Sequence, residues 1–418
     1  MTPVHAEAEK NIRSVVVNRT PFTVPGFRVA AASTGMRYKE RLDLALIAVD
    51  PELNARAAGV FTTNRFCAAP VTLCKENLKS ARVKAVIINA GIANACTGEE
   101  GYKRAKEMAR LTADALDFSH REVLVCSTGI IGPQVEIDPI SRVMPELVGK
   151  LRRDGWEDVA RAIMTTDTVP KMANARVEIS GKLVTVGGVV KGSGMIAPNM
   201  ATLIALVCTD AAIQPPILDH WLRWSSSRSF NCITIDGDMS TNDTLLAVAS
   251  GRAGNPIITD IGSSDSRAFG AALHAVLLEL AKMVVMDGEG ASKFIEIHVT
   301  GAADRDSART VALAIANSPL VKTAFFGEDA NWGRVVAAAG RSGCPLIPEK
   351  VALFFDDLCV FRNGTPVPGS EVEEKASRIF KQKEIRVQVD LGTGSAGFTA
   401  YTCDLSYDYV KINASYRS

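Results

Sequence analysis

The chain has 418 residues, 47% hydrophobic and 22% charged, so it is long enough for two or three domains with a substantial core. Its 47 basic and 46 acidic side chains leave a net charge of +1, which provides no field for binding nucleic acid or another polyanion. Nine cysteines without CxxC pairs favour buried thiols in a reducing cytoplasm over a disulfide framework or a zinc site.

The amino-terminal segment, MTPVHAEAEKNIRSVV, carries charges throughout and lacks the apolar core of a secretory signal. No stretch reaches the roughly 18 uninterrupted apolar residues that a membrane helix requires. The five histidines stand apart from one another and from every glycine-rich motif, so neither a histidine metal cluster nor a histidine triad is indicated. These features predict a cytoplasmic protein that binds neither a membrane nor a metal.

Short strands are predicted at residues 42–49, 58–62 and 83–89, and the last of these is fully apolar. A loop of small residues at 89–98 then leads into a helix at 101–116, whose apolar side chains recur at helical spacing. Oriented backbone N–H groups collect where such a loop meets a helix. The same pattern also fits the simple start of a helix.

A second segment of this form is predicted at 123–132, where a buried strand is followed by Ser127-Thr128-Gly129. Acyl transfer through a hydroxyl nucleophile needs hydrogen-bond donors aimed at the oxyanion of the tetrahedral intermediate. The Thr128 hydroxyl and the Gly129 backbone N–H could supply two such donors. The pattern alone fits a plain turn equally well.

Two helices, at 139–151 and 156–164, lead to Thr165-Thr166-Asp167-Thr168. These side chains could hydrogen-bond a polar substrate, but clusters of threonine and aspartate are also common at helix ends.

The segment 187–208 combines a glycine-rich bend that contains Lys191 with a Pro-Asn turn and with Thr202, which directly precedes an apolar strand at 203–207. A hydroxyl one residue after a peptide bond can attack that bond by an N-to-O acyl shift if the backbone is held bent. Hydrolysis of the ester would release Thr202 with a free α-amine, which joins nucleophile and base in one residue. The pKa of such an amine is about 8. An ordinary strand start is the alternative interpretation.

Beyond this bend, a helix is predicted at 216–227, and 230–243 is assigned to a buried strand and a turn near the site. The acids of that turn do not form a calcium loop, because position 247 is alanine where the pattern needs glutamate. An apolar helix at 268–283 leads to a turn that contains Glu289. A strand at 294–299 and a helix at 306–317 precede a small α+β unit at 345–418, in which 392–397 is predicted to be a hairpin turn.

Strings spread over essentially the whole chain resemble the glutamate N-acetyltransferase family, also called ornithine acetyltransferases. They occur in family order and are NRFCAAPV, NAGIANACTG, STGIIG, IMTTDT, KGSGMIAPNMAT, FNCITIDGD, DGEGA, FGEDANWGR and INASYRS. The resemblance implies an α/β (α+β) architecture in which layered sheets are packed between helices. This is the N-terminal-nucleophile-like DmpA/ornithine acetyltransferase fold, with a smaller carboxyl-terminal α+β domain.

The resemblance also implies a set of site residues. The chain is expected to cleave itself between Ala201 and Thr202, and Thr202 is then the catalytic nucleophile. Thr128 and Gly129 are expected to form the oxyanion hole. The expected substrate contacts are Thr165, with Thr166 as the near alternative, Lys191, Thr202, Glu289, Asn413 and Ser418.

The activity implied by the resemblance is acetyl transfer from N-acetyl-L-ornithine to L-glutamate in arginine biosynthesis, by a ping-pong reaction through acetyl-Thr202. Acetyl-CoA is implied as a second donor, without any bound cofactor or metal. Cleavage would yield an α chain of residues 1–201 and a β chain of residues 202–418, which assemble as α2β2 in the cytoplasm. Within the β chain, 202–292 is expected to complete the catalytic core and about 293–418 to form the smaller domain.

Three positions depart from the family pattern: Ala197 replaces histidine, Ile92 replaces asparagine and Ser418 replaces threonine. The first could alter the acceptor pocket or the cleavage rate, and none removes an expected catalytic group. Two other hypotheses remain at this stage. A self-cleaving aminopeptidase of the same architecture would use water as the acceptor, and a non-catalytic binding protein would need no free Thr202 amine.

Overall fold

The computed structural model describes residues 4, 5, 12, 14–197 and 203–415. Within these residues the strands form three sheets. The strands are β1 (Val17–Asn18), β2 (Phe27–Ala32), β3 (Leu44–Val49), β4 (Arg56–Phe61), β5 (Ala85–Ile92), β6 (Val123–Ile130), β7 (Lys171–Ile179), β8 (Lys182–Lys191), β9 (Ile204–Thr209), β10 (Thr244–Ala249), β11 (Phe294–Ala302), β12 (Ala352–Phe355), β13 (Leu358–Arg362), β14 (Thr365–Pro366), β15 (Glu384–Asp390) and β16 (Ala396–Cys403).

The helices mostly cover the outer faces of these sheets. They are α1 (Ala69–Asn77), α2 (Gly98–Leu116), α3 (Ile137–Gly149), α4 (Trp156–Ala162), α5 (Pro215–Ser226), α6 (Ser264–Met286), α7 (Arg305–Ala316), α8 (Pro319–Phe326), α9 (Trp332–Gly340), α10 (Ser370–Phe380) and α11 (Tyr407–Ser415). Short 3-10 helices occur at Leu78–Ser80, His120–Glu122, Phe230–Cys232 and Pro348–Lys350.

The first sheet has the strand order β2-β3-β5-β6, and the central sheet has the order β1-β7-β8-β9-β10-β4. Each contains one parallel pair, β5 with β6 and β9 with β10, among antiparallel neighbours. The third sheet has the order β14-β13-β12-β15-β11-β16. It lies entirely beyond residue 293, where the sequence predicted a domain boundary. The third sheet shares one continuous apolar core with α5 and α6, so the packing does not separate two domains there and the boundary stays a prediction.

The layers follow from which faces of the strands are apolar. Side chains on one face of the first sheet pack against α2 and α3. The opposite face packs directly on the central sheet, with α4 at the margin of this layer. The other face of the central sheet is covered by α5 and α6. Alternation of side chains along each strand therefore gives both sheets two buried faces, and the predicted arrangement of sheets layered between helices is confirmed.

Helix α6 lies within the core. Its length and composition, with a mean hydropathy of 1.7, would suffice to cross a membrane, but 72% of its apolar window is buried inside the protein. It packs against β7, β8 and α5, so its apolar character is explained by burial over most of its surface.

Several local predictions were wrong. Strand β5 continues to Ile92 and β6 continues to Ile130, so Ser127-Thr128-Gly129 belongs to a strand and does not form a turn after it. The parallel pairing of β5 with β6 extends through Gly91 and Gly129, because two glycines allow the backbones to approach closely. A Cβ atom on Gly129 would lie 2.1 Å from the Gly91 carbonyl carbon.

The segment predicted as a buried strand before residue 244 is mostly irregular, with one isolated bridge between Ile233 and Tyr401. The hairpin predicted at 392–397 is also wrong, because β15 and β16 lie on opposite sides of β11 and the segment crosses between them. The histidines are not all isolated, since the His5 and His220 rings approach to 3.0 Å. Of the nine free cysteines, five are buried and Cys96 is exposed.

Candidate active site

One cavity lies where the first and central sheets meet the turn after α6. Every predicted site residue that the structure describes lines this cavity, although these residues come from widely separated parts of the chain. Its lining is Ala93, Thr128, Gly129, Ile131, Thr165, Thr166, Lys191, Gly194, Met195, Ser240, Thr241, Asn242, Glu289 and Asn413. The tertiary structure therefore brings together site residues that the sequence analysis could name but not place near one another.

Thr128 and Gly129 reach the cavity at the carboxyl end of β6. Thr128 is buried, and Gly129 has φ +129°, a conformation that residues with a Cβ rarely adopt. Nearby, the Asn242 side-chain amide donates to the carbonyls of Ala93 at 2.6 Å and Ser127 at 2.8 Å, which ties β6 to the segment after β5. A hydroxyl and a backbone amide are thus held on a rigid element, as an oxyanion hole requires.

Lys191 is the last residue of β8 and is buried. Burial lowers the pKa of its ammonium, and the carboxylates of Asp167 and Glu289 oppose this shift. Lys191 is the one lysine or arginine among the lining residues named above, so it is the side chain placed to meet an anionic group of a ligand.

Beneath the cavity lies a charged network centred on Asp167, which sequence reasoning did not assign as a site residue. Its carboxylate accepts hydrogen bonds from Lys171 Nζ at 2.7 Å, the Gly192 N–H at 2.7 Å and the Thr165 N–H at 2.9 Å. Burial alone would raise the pKa of Asp167, but the positive charges of Lys171 and Lys191 outweigh it and lower the pKa to about 2. Asp167 is therefore an anion that joins the ends of α4 and β8.

The network continues through Lys171 to the turn that carries Glu289. Lys171 Nζ lies 2.5 Å from Asp287 Oδ2, and Asp287 also accepts the Thr168 N–H at 3.0 Å and the Thr168 hydroxyl. Three cavity-lining segments are therefore joined by buried charged hydrogen bonds. The sequence signals for this network were Asp167 and Lys171, four residues apart, and Asp287, which precedes Gly288.

Glu289 closes the opposite side of the cavity. Its carboxylate accepts the Asn413 side-chain amide at 2.7 Å, which connects it to α11 near the carboxyl terminus. It lies so close to Gly194 that a Cβ there would be 2.4 Å from the carboxyl group. The Glu289 N–H donates to the Ser193 carbonyl at 2.8 Å. The carboxylate is thus fixed between the β8 loop and the terminal helix.

The Asp236 carboxylate holds the chain just before the predicted cleavage segment. It accepts the Met195 N–H at 2.5 Å and the Ile196 N–H at 2.9 Å. Burial raises the pKa of Asp236 to about 6, although these backbone donors oppose the shift. On the far side of the segment, the Leu203 N–H donates to Asp243 Oδ1 at 2.9 Å. Both flanks are therefore anchored by aspartates.

Ala201, Thr202 and Ser418 lie outside the described residues, so their predicted roles stay predictions. Two of the three departures from the family pattern are described. Ala197 is buried next to the predicted cleavage segment, and Ile92 is buried at the end of β5. Neither lines the cavity.

Comparison with known proteins identifies similar chains. The ArgJ family model matches residues 28–418. The arginine biosynthesis bifunctional protein ArgJ of Geobacter sulfurreducens is 48% identical over 395 residues, which cover 94% of this chain and 100% of that protein.

Two solved structures share part of the chain. The ArgJ crystal structure from Bacillus halodurans is 41% identical, covers 50% of this chain and 96% of that chain, and has a TM-score of 0.47. The crystal structure of ornithine acetyltransferase complexed with ornithine, from Mycobacterium tuberculosis, is 37% identical, covers 46% of this chain and 100% of that chain, and has a TM-score of 0.41.

Proposed function

Because this chain belongs to the ArgJ family, we propose that it is an acetyltransferase of arginine biosynthesis that moves the acetyl group of N-acetyl-L-ornithine to L-glutamate. The observation that carries this proposal is the shared cavity. It combines neutral donors at Thr128 and Gly129 with one buried cation, Lys191, and one buried anion, Glu289. Amino-acid substrates carry the complementary charges, and an amide carbonyl between them would develop the oxyanion.

The first proposed step is self-cleavage. The Thr202 hydroxyl attacks the Ala201 carbonyl, the bond to the Thr202 nitrogen breaks, and that nitrogen takes up the proton. Water then hydrolyses the ester, which leaves a carboxylate on Ala201 and a free α-amine on Thr202. The backbone on both flanks of this segment is fixed by Asp236 and Asp243, which supports cleavage at a site whose two ends are held in place.

The second step is acetylation of the enzyme. The Thr202 hydroxyl attacks the acetyl carbonyl of N-acetylornithine while its own α-amine accepts the hydroxyl proton. Thr128 and Gly129 donate hydrogen bonds to the oxyanion, and the C–N bond of the substrate breaks as ornithine takes the proton. Glutamate then attacks acetyl-Thr202 through its amine, which forms N-acetylglutamate and restores the hydroxyl.

Substrate recognition follows from the charges in the cavity. Ornithine and glutamate share an α-carboxylate, for which Lys191 is the partner. They differ in the charge at the far end of the side chain, where Glu289 pairs with the ornithine ammonium. Thr165, Thr166, Asn413 and Ser418 would supply neutral hydrogen bonds that accept either substrate.

The proposal extends to the protein in the cell. Acetyl-CoA is proposed as a second acetyl donor to Thr202, in keeping with the word "bifunctional" in the names of the relatives. No bound cofactor or metal is required for any step. The cleaved chains, 1–201 and 202–418, are proposed to assemble as α2β2 in the cytoplasm, with 202–292 in the catalytic core.

The decisive experiment follows the fate of the chain and of the acetyl group. Purified protein is subjected to amino-terminal sequencing, and N-acetylornithine with a labelled acetyl group is supplied with and without glutamate. We expect a fragment that begins at Thr202, a labelled acetyl ester on that residue, and transfer of the label to glutamate. A Thr202→Ala variant should remain uncleaved and unlabelled.

Two results would contradict the proposal. Active material that contains only the Met1 amino terminus would exclude cleavage at Thr202 as the source of the nucleophile. Release of the label as acetate at the same rate with and without glutamate would identify a hydrolase, as expected for an aminopeptidase of the same architecture.

A further inference from the structure

The outer edge of β6 has no neighbouring strand within the described residues, because β6 is the last strand of the first sheet. Along a strand, successive residues direct their backbone N–H and C=O groups to opposite edges. The even-numbered residues of β6 face β5, since the Ala93 N–H donates to the Ile130 carbonyl at 2.9 Å. The odd-numbered residues therefore direct their backbone groups to the outer edge.

Three outward carbonyls in succession each accept a hydrogen bond from a buried side chain. The pairs are Val123 with Asn77 Nδ2 at 2.8 Å, Val125 with Cys74 Sγ at 3.1 Å, and Ser127 with Asn242 Nδ2 at 2.8 Å. The next odd-numbered residue is Gly129, which lines the cavity. In the part of the chain that the structure describes, the outward N–H of Gly129 has no hydrogen-bond partner. Asn242 is therefore the last side chain that holds this edge before it reaches the cavity.

The amide of Asn242 has no donor left for a ligand. Asn242 is 7% exposed and lines the cavity, where a free amide could have bound a substrate directly. An amide nitrogen carries two N–H groups, and here they donate to the carbonyls of Ser127 and, at 2.6 Å, Ala93. The amide oxygen cannot take this place, because it would face two carbonyl oxygens. Asn242 therefore acts on the backbone of β6.

The segment that carries Asn242 is anchored in turn. The Asn242 amide oxygen accepts the Thr241 hydroxyl at 2.6 Å, and the Asn242 N–H donates to Ser240 Oγ at 3.0 Å. The Ala68 N–H donates to the Thr241 carbonyl at 2.9 Å, and the Thr62 hydroxyl donates to the Ser240 carbonyl at 2.7 Å. The residues that follow β4 and precede α1 thus fix the position from which Asn242 reaches β6.

We propose that Asn242 is a positioning residue of the oxyanion hole, which aims the Gly129 N–H into the cavity by holding the Ser127 carbonyl. This inference rests on the proposed function. The Ser127 carbonyl and the Gly129 N–H belong to adjacent peptide units, and each unit is planar. Only the two backbone dihedral angles of Thr128 separate them. A rotation of the Ser127 carbonyl is therefore passed on to the Gly129 N–H.

Loss of this positioning should affect the reaction more than substrate binding. A well-placed oxyanion donor contributes about 10²–10³ in rate, and a donor that points away from the oxyanion loses part of that contribution. The charged side chains proposed to bind the substrate, Lys191 and Glu289, lie on β8 and after α6 and make no contact with the Asn242 amide.

The test replaces the amide by a group of the same shape without its donors. Asn242→Asp is compared with wild type in single-turnover acetylation by N-acetylornithine and by N-thioacetylornithine, measured by rapid quench. We expect the rate with N-acetylornithine to fall at least about tenfold and its half-saturating concentration to stay within about threefold. Sulfur accepts hydrogen bonds weakly, so the rate ratio of the oxygen to the sulfur substrate should fall at least about threefold.

Asn77→Asp is the matched control. Asn77 is 9% exposed and holds the same edge of β6 at its other end, where it donates to the Val123 carbonyl. This variant should lower the Tm as Asn242→Asp does, but it should keep the wild-type acetylation rate and the wild-type substrate ratio. An unchanged rate in Asn242→Asp would overturn the inference. Equal losses with the oxygen and sulfur substrates would also overturn it, since they would indicate a purely structural role.

Asn242→Ala, which introduces no charge, takes the place of Asn242→Asp if the latter does not fold or cleave. Failure of both variants to fold and cleave, with a normal Asn77→Asp, would overturn the inference, because Asn242 would then be required for the fold as a whole. A wild type that transfers no acetyl group to glutamate refutes the proposed function. An active, acetylated wild type with an unchanged Asn242→Asp variant refutes this inference alone.

Discussion

Replacing Lys171 by methionine removes the ammonium that joins Asp167 to Asp287 beneath the cavity. Lys171 is 0% exposed, and its Nζ lies 2.7 Å from one carboxylate and 2.5 Å from the other. Breaking a buried ion pair by removing one partner costs about 3–5 kcal/mol. With an unfolding entropy of about 2.1 cal/mol/K per residue, a chain of this length should lose about 3–6 °C in Tm.

The same change should weaken substrate binding. Asp167 also accepts the N–H groups of Thr165 and Gly192, so its reorientation would move both the threonine segment and the loop after Lys191. Loss of one well-placed charged contact to the substrate costs about 1.5–3 kcal/mol, so the KM for N-acetylornithine should rise at least about tenfold. The kcat should change less, because the proposed oxyanion donors on β6 do not depend on Lys171.

Acid sensitivity provides a second readout of this variant. The pKa of Asp167 is lowered in the folded state, so the stabilisation that it contributes is present above about pH 4 and is lost as the pH falls towards 2. Without Lys171, burial is opposed less strongly and the pKa of Asp167 rises. The acid unfolding midpoint of Lys171→Met, measured by circular dichroism, should therefore lie at higher pH than that of wild type.

Lys322→Met is the matched control for destabilisation as such. Lys322 is 4% exposed, and its Nζ donates to neutral acceptors, the Thr402 hydroxyl at 2.9 Å and the Cys403 carbonyl. Its removal should also lower the Tm, since two buried acceptors lose their donor, but KM should stay within about twofold. Unchanged KM in Lys171→Met, or equal increases in both variants, would refute the positioning role of the network.

Gly129→Ala should abolish acetylation and lower stability, because its Cβ would lie 2.1 Å from the Gly91 carbonyl carbon. The control Gly132→Ala is also at positive φ but in open space, so it should cost only about 1–3 kcal/mol of strain. Similar acetylation rates in the two variants would contradict this prediction. Glu289→Gln should slow deacetylation of N-acetylornithine more than about tenfold relative to acetylation of glutamate, because only ornithine carries a distal ammonium. Equal losses of rate in the two half-reactions, measured by rapid quench, would exclude a pairing of Glu289 with that ammonium. Burial lowers the pKa of His274 to about 4, so the stabilisation that neutral His274 contributes should be fully present above about pH 6.5. The free energy of unfolding should then fall by about 3 kcal/mol as the pH drops to 4. His274→Leu should remove this pH dependence in calorimetry, and an unchanged slope of unfolding free energy against pH would disprove the prediction.

Local patterns were sufficient for much of the secondary structure. Helical spacing of apolar residues located α2, strongly apolar composition located α6, and the apolar run before residue 90 located β5. All three signals depend only on neighbouring residues. The site candidates also came from the sequence, through strings such as KGSGMIAPNMAT and DGEGA that resemble one family. Such strings specify residue types and order along the chain, and that was enough to name seven of the fourteen residues that line one cavity.

Non-local pairing decided what those patterns could not. The insertion of β11 between β15 and β16 replaced the predicted hairpin, because backbone partners far apart in sequence compete with local turns. The Gly91 to Gly129 contact kept β6 extended through Thr128 for the same reason. Asp167, Lys171 and Asp287 form one network, and Asp243 lies beside Leu203, only because separate segments converge. These side chains are buried only once the segments have converged, and their pKa values depend on that burial.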